Sequence, residues 1–159
     1  MKKFFCFILV PLLLICSCSP SGTYTDTLSC EEIRERIISA VGDEEYLELD
    51  REEAEYYFSS EDCREYSVRY SSSTNDIGEF GIFHAEDEDT ALKLLEECRG
   101  YLKEKQTEQR AFIQSYAPTE LKKLDGAEAY RFGNYVIFTI LEKELTMKIK
   151  TSIHELLSS

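Results

Sequence analysis

Residues 89–116 read DTALKLLEECRGYLKEKQTEQRAFIQSY, and the fold turns on how that run is placed. Ala91, Leu95, Cys98 and Leu102 recur at steps of four, three and four, which puts them on one face of a helix. Phe112, Ile113 and Tyr116 are expected to resume that face further along. Lys105, Gln106 and Gln109 fall where apolar residues would be needed, so the middle of the helix is expected to overhang solvent. Glu86–Asp89 stand at its start, where the helix dipole favours negative charge. Pro118 ends it, because the preceding Ala117 is pushed out of helical backbone.

Outward from this helix the period changes. On its N-terminal side, Glu65–Ser71 alternates, with Tyr66, Val68 and Tyr70 on one side and Ser67 and Arg69 on the other. That predicts a strand with one buried face. Ile77–Ala85 predicts its partner, with Phe80 and Ile82 opposite Phe83, and with Gly78 and Gly81 marking a bulge or a close approach. On the C-terminal side a short helix runs from Pro118 to Leu124, and Asp125-Gly126 turns the chain. Ala127–Phe132 and Tyr135–Leu141 then flank Gly133-Asn134, a Gly-first hairpin turn. Leu145, Ile149, Ile153 and Leu156 close the chain as an amphipathic helix.

Before the first hairpin, Ser29 and Glu32 form a capping box, and Leu28 with Ile33 a hydrophobic staple. Ile33, Ile37 and Val41 are the buried stripe of the helix so started, and Gly42 stops it. Asp43–Asp62 predicts a loop and a short helix over Arg51–Phe58. The order helix, hairpin, long helix, hairpin, helix gives an α+β fold: a two-layer arrangement of a four-stranded antiparallel sheet with helices on one face. No linker interrupts the chain after Asp26, so residues 27–159 are read as one domain.

The N-terminus reads differently. Lys2 and Lys3 precede an unbroken apolar run, Phe4–Ile15, which is too short for a spanning helix of about 20 residues. Residues 1–17 are therefore read as a signal peptide. Ile15-Cys16-Ser17-Cys18 places an aliphatic residue three positions before Cys18 and a small residue directly before it, the pattern of a bacterial lipobox. Cys18 is the expected acylation site and new amino terminus. Residues 18–26 are the tether, rich in Ser, Thr, Pro and Gly.

The order of these features resembles a family of small lipoproteins, mainly from clostridial Gram-positive bacteria, known only as a domain of unknown function. The segments that carry the likeness are the lipobox, the Ile77–Ala85 strand with its acidic lead into a long charged helix, Phe112-Ile113-Gln114-Ser115-Tyr116-Ala117-Pro118-Thr119-Glu120, and Gly133-Asn134-Tyr135-Val136. The likeness covers about Leu28 to Leu156. It implies location and fold, with no catalytic residue to carry over. Cys30, Cys63 and Cys98 depart from its pattern.

Composition limits the function. A chain of 159 residues that is 43% hydrophobic and 31% charged has room for one folded core. Its net charge of −13 excludes general nucleic-acid binding, which needs a basic surface. Ten tyrosines and no tryptophan offer many rings that can sit half buried. With Cys18 acylated, Cys30, Cys63 and Cys98 allow at most one disulfide.

Candidate chemistry is sparse. His84 and His154 are the two histidines, and neither lies in a metal-ligand spacing. Cys30, at a helix start, is the candidate nucleophile of an alternative reading as a small extracytoplasmic hydrolase, with scattered carboxylates as the other candidates. Glu86-Asp87-Glu88-Asp89 invites a calcium site but lacks the mid-loop glycine, and helix capping accounts for it. No cofactor is expected. The sequence reading is a domain held to the outer face of the cell membrane by lipid at Cys18, non-enzymatic, and binding a protein or an envelope component.

Overall fold

A computed structural model describes residues 24–42 and 45–158. The expected signal peptide, Cys18 and the expected tether residues before Tyr24 lie outside the described residues, as do Asp43 and Glu44. Among the described residues no helix is long and apolar enough to cross a membrane.

The chain runs α1 (Cys30–Val41), β1 (Tyr46–Glu48), α2 (Arg51–Tyr57), β2 (Cys63–Ser71), β3 (Glu79–Ala85) and α3 (Glu88–Glu104). A π-helical turn, Lys105–Gln109, passes without a break into α4 (Arg110–Tyr116). A 3-10 turn at Pro118–Glu120 leads into α5 (Leu121–Asp125), followed by β4 (Glu128–Phe132), β5 (Tyr135–Ile140) and α6 (Lys143–Leu157). The strands form one antiparallel sheet in the order β1-β2-β3-β5-β4. The fold is α+β, as the sequence predicts, with the long central helix and the terminal helices in place.

Two features of the arrangement correct the expectation. The sheet has five strands rather than four, because Tyr46–Glu48 adds an edge to β2. Three residues flanked by acids are too short a run to show alternation. The helices also cover both faces, giving three layers where two were expected. On one face α1 and α6 pack Ile33, Ile37, Ile149, Ile153 and Leu157 against Phe80, Ile82, Tyr135 and Ile137. On the other, α3 packs Ala91, Leu94, Leu95, Cys98 and Leu102 against Phe83, Val136, Phe138 and Ile140. The cause lies in β3 and β5, which are apolar at both parities and buried throughout, as a strand covered on two sides must be.

Local chemistry explains the element ends. The Ser29–Glu32 capping box is present, and the carboxylate of Glu65 accepts from the Cys30 amide at 2.8 Å. Gly42 closes α1 at φ 88°. Gly133 turns the β4–β5 hairpin at φ 56°. Gly81 lies opposite Phe138, whose ring occupies the space a Cβ would need. Asp87 caps α3 by accepting from the Thr90 amide at 2.8 Å, Glu88 pairs with Arg131, and Glu86 with Arg64. Capping and ion pairs thus account for the acidic run.

The middle of the long helix departs from expectation. Lys105 and Gln106 face the protein rather than solvent: Lys105 pairs with Glu79, and Gln106 donates to the Leu124 carbonyl at 3.0 Å. Beyond the π turn only Ile113 of α4 is buried, while Phe112 and Tyr116 are 64% and 76% exposed. The wider turn changes the phase of the helix, so the apolar face of α3 does not continue into α4.

Candidate functional site

Glu79 opens β3 on the α3 side and is only 5% exposed. A buried carboxylate needs compensating donors. It has two, the Tyr101 hydroxyl at 2.5 Å and Lys105 Nζ at 2.8 Å. Tyr101 and Lys105 stand four residues apart on the same helix face. The π turn begins at Lys105, whose ammonium lies 4.8 Å from the centroid of the Tyr101 ring. Burial raises the Tyr101 hydroxyl far above the usual tyrosine range, and the neighbouring charge of Glu79 adds to it. That phenol stays protonated and donates; it is not poised as a base.

This triad walls a cleft of about 470 Å³, within the size range of small-molecule sites. Glu53 and Tyr57 of α2, Tyr70 of β2, and the loop from Asp76 to Gly78 form its rim, with Leu49, Leu124 and Ile140 inside. Tyr57 meets the Tyr101 ring at 5.1 Å between centroids. Asp76 accepts from the Gly78 amide at 2.5 Å and pairs with Lys123 at 2.6 Å, which also reaches Glu120. Those contacts hold the loop closed on itself and the lip of the cleft in place.

The opposite end of β3 receives the N-terminal segment. Asp26 accepts from Arg64 at 2.6 Å and bonds His84 Nε2 at 2.9 Å, and the His84 ring stacks on Tyr135 at 4.2 Å. Burial works to raise the Asp26 carboxyl, but the hydrogen bonds from His84 and Arg64 outweigh it and hold the group below its ordinary value. The Thr25 amide donates to the Leu157 carbonyl at 2.8 Å, and the Tyr24 ring packs on Phe132 and His154. The segment before α1 is therefore clasped to the domain.

The remaining candidates separate. Cys30, Cys63 and Cys98 are free thiols. Burial pushes Cys30 and Cys98 far up, with Glu65 and Glu97 adding respectively, and Cys63 up to about 12 through burial and the charges of Asp62 and Glu61. The Cys30 thiol lies 3.9 Å from the Ile82 carbonyl, and His84 Nε2 goes to Asp26 and Arg64 rather than to sulfur. A thiol in that setting lacks the thiolate character that nucleophilic attack needs. His154 lies against aromatic rings. Glu79 was missed by sequence reasoning although it stood out as a lone carboxylate in an apolar strand. The misplacing of Lys105 hid its partner.

A family profile described as a domain of unknown function, DUF4358, matches residues 40–141. That is more than half of the chain. The chain belongs to the DUF4358 family. No curated protein and no solved structure matches it. The DUF4358 span runs from the end of α1 through β5 and contains every residue named above for the cleft. It leaves out α6, the main part of α1 and the clasp residues Tyr24–Asp26. In this DUF4358 member one face of the sheet is thus covered by helices mostly outside the matched span.

Proposed function

We propose that this DUF4358 protein is an extracytoplasmic lipoprotein, anchored through acylated Cys18, that presents the Glu79–Tyr101–Lys105 cleft away from the membrane to bind a partner. The observation that carries the reading is the polarity of β3. Its His84–Ala85 end meets the clasped N-terminal segment, and its Glu79 end opens into the cleft. Seven residues of strand separate the two by about 20 Å. A tether arriving at Tyr24 from Cys18 is short, so an anchored domain is held at that end and its cleft turned outward.

The basic Lys2-Lys3 start, the Phe4–Ile15 apolar run and Ser17 before Cys18 support the anchor. One acyl chain binds membranes only marginally, whereas the diacylglycerol of a lipobox cysteine anchors stably. The net charge of −13 for the full chain includes Lys2 and Lys3, so the domain without them is more acidic still and gains nothing from anionic headgroups; the lipid carries the attachment. A binding role fits a cleft whose tyrosine is locked as a donor and whose carboxylate is already satisfied. The test is the intact mass of the N-terminal peptide of protein extracted from membranes. A peptide beginning at Cys18 and carrying a diacylglycerol is expected; an unmodified Cys18 refutes the anchor.

A further inference from the structure

We infer that the cleft binds a primary alkylammonium group carried on an aliphatic stem, with Glu53 as its counter-ion. The inference rests on the cleft being a binding site, and it assigns the ligand class. The protein itself shows what the cleft accommodates: the ammonium of Lys105 sits 2.8 Å from the Glu79 carboxylate and 4.8 Å from the Tyr101 ring centroid. A carboxylate joined to an aromatic face is the chemistry that holds ammonium ions.

The charges there favour one place for a second cation. Lys105 is matched by Glu79, while Asp76 already has the Lys123 cation, which it shares with Glu120. Glu53 is different. Among the described residues it has no ion pair, and Arg51 of the same helix pairs with Glu55 at 2.5 Å. Its carboxylate is near enough to Tyr101 to raise that hydroxyl further. Beside it on the rim stand Tyr57 and Tyr70, 38% and 41% exposed, with ring surface open to a ligand. Inside, the half-buried Leu49 offers apolar surface to a hydrocarbon stem, with the buried Leu124 and Ile140 behind it.

An anionic ligand meets an uncompensated carboxylate at the entrance. A neutral apolar one gains nothing from that carboxylate, which is exposed to water. The alkylammonium group fits both the rim and the interior, whether it comes as a free amine or as a lysine side chain of a partner polypeptide.

Calorimetric titration of the detergent-solubilised full chain tests this with three probes: 1,5-diaminopentane, 1-pentanol, and a blocked tripeptide with a central lysine. Saturable binding of an amine probe is expected, with pentanol about ten-fold weaker or worse, the loss that goes with a missing charged hydrogen bond. The tighter of the two amine probes identifies the source, and either supports the assignment. Glu53→Gln should weaken amine binding several-fold with the unfolding midpoint unchanged, and Tyr57→Leu should weaken it several-fold in protein that still unfolds cooperatively. No saturable amine binding, pentanol matching the amine, or full affinity in Glu53→Gln overturns the assignment. The mass of the N-terminal peptide is read separately, so a lipidated protein that ignores amines refutes the ligand and leaves the anchor standing.

Discussion

Lys105 Nζ lies 2.8 Å from the carboxylate of Glu79, a pair formed between the π turn of the long helix and the first residue of the central strand β3. Glu79 is almost fully buried, and Lys105 retains about a quarter of its side-chain exposure. The pair is therefore partly screened, and removing the cation should cost less than the roughly 3–5 kcal/mol of a fully buried pair. Lys105→Ala is expected to destabilise by about 1–3 kcal/mol in urea unfolding. Lys103→Ala, on the exposed side of the same helix, should stay within about 0.5 kcal/mol. Glu79→Gln placed in the Lys105→Ala background should recover part of the loss, since it removes the stranded charge. Equal effects at Lys103 and Lys105 contradict the pairing.

Gly81 and Phe138 are register partners on β3 and β5, and the Phe138 ring fills the side-chain space of the glycine. Gly81→Ala should cost about 1–3 kcal/mol by forcing that ring out of the core. Gly81→Ala combined with Phe138→Leu should lose less than the two single losses added, because they share one volume. Strict additivity in thermal unfolding would show that the two residues do not compete for space.

Gly133 holds φ 56°, and an added Cβ would stand 3.2 Å from that of Tyr24. Gly133→Val should lower stability by about 1–3 kcal/mol through backbone strain alone. Asn134→Ala, at the neighbouring turn position with negative φ, should remain within about 0.5 kcal/mol. A neutral Gly133→Val in a denaturant titration removes the turn assignment.

Much of this was legible in the sequence. Capping residues and turn glycines act through neighbours in the chain, so Ser29, Glu32, Gly42 and Gly133 announced their roles. Periodicity placed Leu95, Cys98 and Leu102 in the core. What was hidden depends on contacts distant in sequence. Lys105 reads as a solvent residue until Glu79, 26 positions away, is known to be buried beneath it. The three-layer arrangement was present in Tyr135–Ile140, apolar at every position but Thr139, yet it needed α6 to be seen on the second face. The phase change at the π turn has no signature beyond the polar run Lys105–Gln109 itself.

The clasp at Asp26 sets a pH dependence. Its carboxyl in the folded protein lies below the ordinary aspartate value of 3.8. The unfolded state therefore binds the proton more readily, and the clasp contributes its stability above about pH 4. That contribution is lost as pH falls through the lower, folded value. Hydrogen exchange at the Thr25 amide, which donates to Leu157, should accelerate relative to its intrinsic rate only below that range. Asp26→Asn should show fast exchange already at neutral pH. An unchanged protection factor for Thr25 in Asp26→Asn contradicts the clasp.

The account stands on attachment through Cys18, and the Cys18→Ala variant, expressed in cells and fractionated, tests that most directly. The proposed signal segment and the domain stay intact in this variant, and only the proposed acylation site is removed. The wild-type protein is expected in the membrane fraction, retained through a high-salt wash that screens charge contacts. Cys18→Ala is expected in the medium or the soluble envelope fraction, or as uncleaved precursor. A Cys18→Ala protein that is cleaved normally and stays with the membrane in high salt contradicts the anchor and the outward-facing cleft that depends on it.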